Sequence, residues 1–238
     1  MKKNGKPATG KIINQMTSTA HNYSSKKLGD LFAKCRFLNW LIKRNQAKNY
    51  SLTSEFLFSE EKRYADIVKI TQHSTTAYEI KSERDNTSRL CEQLECYLKT
   101  FDYTYVVCHG KHLEAVSKIA HSDVGIITET SPQKFKIVQR ATKRSHLSAS
   151  SLLTLFNRAE IQQIFNKKSD KTIPIEILRK QVSPEINLHS LQHRFRYTLL
   201  ERYKILTERF LREIEKENIH PDDLLTLSRS ANIEQSIW

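Results

Sequence analysis

Asp66, Glu79 and Lys81 have the types and the spacing that hydrolysis of a phosphodiester asks for. Glu79 and Lys81 are two residues apart, so on an extended strand they point to one face while Tyr78 and Ile80 point to the other, into a core. The segments that carry the three residues read as short strands, Tyr64–Ile70 and Thr76–Ile80, with no room for a helix between them. A hairpin turning symmetrically at Gln72 and His73 sets Asp66 opposite Glu79, with Cβ atoms about 5 Å apart. Two carboxylates that close repel each other unless a cation neutralises them, and hard oxygen donors suit Mg²⁺, with Mn²⁺ as a substitute. A cation so held supplies an activated water and offsets charge on the phosphate. Lys81 beside it can polarise the attacking water or steady the pentacovalent phosphate.

A second pattern follows the strand. Arg89, Gln93 and Tyr97 are spaced four apart and form one stripe along a helix predicted over Ser88–Phe101. Gln93 and Tyr97 can donate hydrogen bonds to a water, a carboxylate or a phosphate. The plainer reading of the stripe is a polar boundary strip.

The elements that must position these residues follow from apolar periodicity. Leu28, Leu31, Phe32, Cys35, Leu38, Leu41 and Ile42 fall on one face of a helix ahead of the first strand, Ser54–Phe58. After the helix at Ser88–Phe101 come a strand at Tyr103–Cys108, a helix near Leu113–Ala120, a strand at Val124–Thr130 and an edge strand at Phe135–Gln139. Strand pairs joined through a helix favour parallel pairing. Beyond Arg140 the pattern is helical: Ser148–Phe156, Ala159–Asn166, Ile175–Lys180 and a long helix opened by Pro184. The stripe Leu188, Leu191, Phe195, Leu199, Tyr203, Leu206, Phe210 and Ile214 recurs at heptad-like spacing, which suits packing on another helix, a homodimer or a protein partner. The expected organisation is a basic arm over residues 1–27, an α/β domain over 28–142 and an all-helical region over 143–238.

In order, spacing and element, Asp66, then Glu79-Ile80-Lys81, then Gln93-Leu94-Glu95-Cys96-Tyr97 resembles the D…ExK…QxxxY signature of the PD-(D/E)XK nuclease superfamily, in its RecB-like branch. The text around it, Arg63-Tyr64-Ala65-Asp66 and Glu79 through Leu90, is similar in style to the MmcB-like DNA repair nucleases and to small bacterial and phage proteins of that superfamily. The resemblance spans roughly residues 50–130 and lacks the proline before Asp66. It implies a restriction-endonuclease-like mixed sheet flanked by helices and a metal-dependent DNA nuclease. Asp66 and Glu79 would hold the metal and Lys81 would be the catalytic lysine. A glutamate ahead of the aspartate would join the metal site, Glu55 matching best by position and Glu60 and Glu61 being the other choices. Gln93, Tyr97, Arg63 and Arg89 would support the site or contact nucleic acid. The rival from another class keeps the fold without cutting, as a nucleic-acid-binding or regulatory subunit of a phage, repair or defence complex.

Charge points the same way. Thirty-nine Lys and Arg against 26 Asp and Glu leave +13, and a polyanion is the natural partner of such a chain. Six of the lysines lie in residues 1–27, which hold no acid. That arm either holds phosphate or only keeps the protein soluble. Arg194, Arg196, Arg202, Lys204, Arg209 and Arg212 on the long helix interleave with acids, the pattern of a solvated face. No stretch reaches the roughly 18 apolar residues of a membrane span, which leads to an expectation of a soluble, cytoplasmic protein. Cys35, Cys91, Cys96 and Cys108 lack zinc-site spacing. Neither a GxxxxGK[ST] loop nor a GxGxxG turn is present, so nothing points to a nucleotide-driven motor.

Overall fold

The hairpin that carries the acids forms as its turn residues dictate. In the computed structural model, which describes residues 25–45, 49–59, 63–166, 172–214 and 218–228, the amide of Thr71 donates to the carbonyl of Ser74 at 2.8 Å around Gln72 and His73. The Thr71 hydroxyl also accepts from the amides of His73 and Ser74. That turn joins β2 (Tyr64–Ile70) to β3 (Thr75–Lys81), with Ile67 opposite Tyr78 and Val68 opposite Ala77, the register expected from the sequence.

Among the described residues, six strands make one mixed sheet whose spatial order is the order of the sequence. β1 (Ser51–Leu57), β2 and β3 are antiparallel. β3, β4 (Tyr103–His109) and β5 (Gly125–Ser131) run parallel. The two parallel steps are the ones that contain helices, α2 (Leu90–Thr100) and α3 (Leu113–Ile119), as parallel crossovers require. β6 (Lys134–Gln139) adds an antiparallel edge.

Helix α1 (Ser25–Arg44) packs Phe37, Leu38 and Leu41 with Ile67, Tyr78 and Ile80. Two details of the expected helix change. Ser25–Lys27, expected in the arm, open it, and Phe37 is buried where Phe32 is 44 % exposed. The apolar spacing predicts Phe32 on the buried face, but that face turns through Ala33, Phe37 and Leu41, four apart. Residues 1–24, Glu60 and Glu61 lie outside the described residues.

The second large cluster joins Phe56, Val68, Ala77, Tyr97 and Phe101 to the C-terminal helices α4 (Ala149–Leu153), α5 (Arg158–Phe165), α6 (Ile175–Val182) and α7 (Leu188–Glu213). Leu191, Phe195, Leu199, Tyr203 and Leu206 of the heptad-like stripe all lie in it, so this face of α7 covers the chain's own sheet. A short helix that sequence periodicity did not reveal, α8 (Asp223–Ser228), completes the chain's described part.

α7 and α8 also close the edge of β1, which begins at Ser51 rather than Ser54. The Leu52 amide donates to the Thr207 hydroxyl at 2.8 Å, and Ser51, Thr53 and Ser54 hydroxyls donate to the carbonyls of Leu200, Leu227 and Leu224. These buried polar residues hid the strand's start, because their partners lie some 150 to 175 residues away. An edge so covered offers no row of free backbone groups to another chain.

One buried acid ties the sheet to α7. Asp102, fully buried, accepts from the Thr75 amide at 2.8 Å, from the Thr75 hydroxyl at 3.0 Å and from Arg196 through two bonds of 2.9 and 2.5 Å.

Candidate active site

Asp66 and Glu79 come together where the β2–β3 ladder stops. Regular pairing ends at Ile67 and Tyr78, and the next backbone bond is replaced by a side chain: the Ile80 amide donates to Asp66 Oδ2 at 2.6 Å. On the other side of β2, Glu55 stands between the pairs Ser54–Ile67 and Phe56–Ala65, which sets it across from Asp66. Three acids on three adjacent strands thus lie in a row.

Glu55 adopts a left-handed backbone, φ 51°. A non-glycine residue there is costly, of order 1 kcal/mol or more, and such residues cluster at functional sites. Its side chain is 47 % exposed. It also lines a cleft of about 1060 Å³ between β1 and the helical region, with Tyr64, Phe156, Asn157, Arg179 and Lys180 among the other walls.

Lys81 Nζ donates to Glu79 Oε1 at 2.7 Å and to Gln93 Oε1 at 3.0 Å. The Tyr97 hydroxyl donates to the other oxygen of Glu79 at 2.5 Å. Four of the residues singled out from sequence therefore share one network. Tyr97 is only 1 % exposed and its aromatic ring packs on Phe58 and Phe101, so its role is to hold Glu79 rather than to meet a ligand. Arg63 Nη2 lies 3.6 Å from Glu92, and Arg89 is exposed just ahead of α2, where its carbonyl accepts from the Gln93 amide.

Lys34 is the member that sequence reading missed. From α1 its ammonium reaches between Glu55 and Asp66, donating to Glu55 Oε1 and lying 2.7 Å from Asp66 Oδ1. The helix is fixed on both sides of it. One turn earlier, Asp30 accepts from Ser82, the residue after Lys81, at 2.5 Å. Two residues later, Arg36 makes a two-bond pair with Glu129 at 2.6 and 2.9 Å. The signal was present in the sequence: Lys34 sits three after Leu31 and four before Leu38, on the apolar side of an amphipathic helix.

Burial raises the Glu79 carboxyl above its ordinary range and the Asp66 charge adds to this, while Lys81 and Tyr97 hold it down in part. Burial also pushes the Tyr97 hydroxyl well up, helped by Glu79 and Asp66, so it stays a donor. Burial opposes the charge on Lys34, but Asp66 and Glu55 outweigh it and its pKa lies above that of a free lysine.

The donor chemistry fits a hard divalent cation, since Glu55, Asp66 and Glu79 offer carboxylate oxygens. Among the described residues, though, no three metal-ligating side chains are gathered as a ready set. The gap between Glu55 and Asp66 is taken by Lys34.

The family model for bacteriophage P4 protein cII matches residues 24–228, which takes in the sheet, the acid row and the helical region. The chain belongs to this family. Protein cII of Enterobacteria phage P4 is 26 % identical over 211 residues, 86 % of this chain and 79 % of that one. Among solved structures, SPO1766, a protein of unknown function from Silicibacter pomeroyi, aligns with a TM-score of 0.38 at 15 % identity, over 49 % of this chain and 77 % of that one. Among the described residues of this cII-family chain, no helix is long and apolar enough to cross a membrane.

Proposed function

We propose that the chain hydrolyses phosphodiester bonds in DNA with the help of a divalent cation, Mg²⁺ or Mn²⁺, held by Asp66 and Glu79 with Glu55 as a further acid. The observation that carries this reading is the meeting of Glu55, Asp66, Glu79, Lys81, Gln93 and Tyr97 at one end of the sheet. Their likeness to the PD-(D/E)XK pattern supports it. When bound, such a cation supplies an activated water and offsets phosphate charge. Lys81 then presents an ammonium group to the water or the phosphate, and Gln93 keeps it aimed. Tyr97 fixes one oxygen of Glu79, and Lys81 meets the other. Arg63 and Arg89 flank the entrance as phosphate contacts, in a chain of net charge +13. Cleavage of supercoiled, linear and single-stranded DNA that needs Mg²⁺ or Mn²⁺, stops with EDTA and vanishes in Lys81→Ala is the expected result. Inertness of the wild type on every substrate in every metal defeats this reading.

A second reading has its own support: a non-cleaving nucleic-acid-binding or regulatory subunit of a phage, at work in the cytoplasm of the infected cell. Kinship with a phage protein favours it over the first, and so does an acid row already paired with the chain's own lysines. It predicts equal DNA binding by wild type and Lys81→Ala with no cleavage by either.

A further inference from the structure

We propose that Lys34 is an internal counter-ion that holds the cation position between Glu55 and Asp66, so that a divalent cation enters this site only by displacing it. The inference rests on the acid row being the place where a cation would bind, and it stands whether or not DNA is then cut.

Geometry and charge carry it together. The Lys34 ammonium lies within bonding reach of both acids, with its side chain only 10 % exposed. The carboxylate oxygens it contacts, Glu55 Oε1 and Asp66 Oδ1, are ones a metal would need, because Asp66 Oδ2 already accepts from Ile80 and Glu79 is held by Lys81 and Tyr97. With Lys34 and Lys81 in place, three carboxylates face two ammonium groups and one negative charge remains. Adding a divalent cation on top would leave the partly buried cluster one charge positive. Exchanging Lys34 for the cation brings it to zero, which low-dielectric surroundings favour.

The α1 backbone is not free to carry Lys34 out of the way. Asp30–Ser82 and Arg36–Glu129 pin the backbone of α1 on either side of Lys34, so the four-carbon stem is what must swing. Glu55 gives it an exit, being half exposed at the mouth of the large cleft. A lysine stem pointing along that mouth keeps its apolar carbons against the protein and its charge in water.

The test is Mn²⁺ binding by calorimetry to the full chain, wild type beside Lys34→Met, with circular dichroism to check folding. Lys34→Met, which keeps the stem and removes the charge, is expected to bind at least about tenfold tighter than wild type, a difference of about 1.4 kcal/mol. In the wild type, Mg²⁺ is expected to abolish the slowly exchanging ¹⁵Nζ signal of Lys34 in NMR spectra of lysine-labelled protein. That second measurement needs no variant, so it decides the matter even if Lys34→Met misfolds. Equal or weaker binding by Lys34→Met, or a Lys34 signal unmoved by saturating Mg²⁺, overturns the inference. Tighter binding without cleavage by either protein upholds it and defeats the nuclease reading. Metal-dependent cleavage with equal affinities does the reverse.

Discussion

Two buried acid centres sit at opposite ends of β3, and they are built differently. At its start, Asp102 meets one guanidinium and the backbone and hydroxyl of Thr75, and all four bonds close on a single carboxylate with no exposure. At its end, Glu55, Asp66 and Glu79 share two lysines, one acid is half exposed, and the backbone at Glu55 is left-handed. The first centre is saturated and sealed, which suits a joint between the sheet and α7. The second keeps surplus negative charge, strain and an opening, and those are features that natural proteins retain at working sites. Burial of charge alone would not have told them apart. The balance of partners does.

Removing the sealed acid should cost most. Asp102→Ala leaves Arg196 buried without its carboxylate, and urea denaturation is expected to show a loss of about 3–5 kcal/mol; a loss below 1 kcal/mol would remove the basis for calling this centre a joint. Lys81→Ala is next: under the nuclease reading, cleavage falls by about 100-fold or more, as for loss of a group that stabilises developing charge, while the unfolding midpoint moves less than for Asp102→Ala. Equal stability losses in the two variants would erase the contrast.

Titration probes the open centre through Glu79. A carboxyl raised by burial, as at Glu79, adds stability in full below the ordinary glutamate value of 4.5. That stability is lost as pH rises through the higher value in the folded chain. Glu79→Gln should therefore flatten the decline in stability over that window. A decline of the same steepness in the variant would show that Glu79 is not its source. The smallest effect is expected at Asn157, whose side chain and that of Glu160 form a reciprocal cap on α5. Asn157→Ala should lower stability by about 1 kcal/mol in urea denaturation, less than either change above.

What the sequence could disclose depended on how local the cause was. β2 matches its expected bounds, and a turn set by Thr71 and Ser74 gives the expected register at Ile67–Tyr78 and Val68–Ala77, while regular pairing stops one step short of Asp66 and Glu79. The ExK spacing and the Gln93–Tyr97 spacing are likewise properties of one strand and one helix, and the structure gathers those residues. The start of β1 was not legible, since Ser51 and Thr53 are buried only because α7 and α8 offer them acceptors. Lys34 was overlooked because a lysine near a helix's apolar side usually turns its charge outward; only the acids on β1 and β2, which no helical pattern reveals, turn it inward. The burial of Tyr97 was hidden for the same reason, its hydroxyl being satisfied by an acid on another element.

The lid that α7 and α8 place over β1 also sets a timetable for folding. Translation delivers the chain from its N-terminus, and Ser51 to Ser54 emerge long before Leu200, Thr207, Leu224 and Leu227 exist to satisfy them. Until then the nascent sheet carries an open margin of unpaired polar groups, and contacts so distant in sequence form slowly. The start of β1 therefore gains its final partners only after α7 and α8 have left the ribosome, and a chain that lacked both helices would present its first strand to any neighbour able to pair with it.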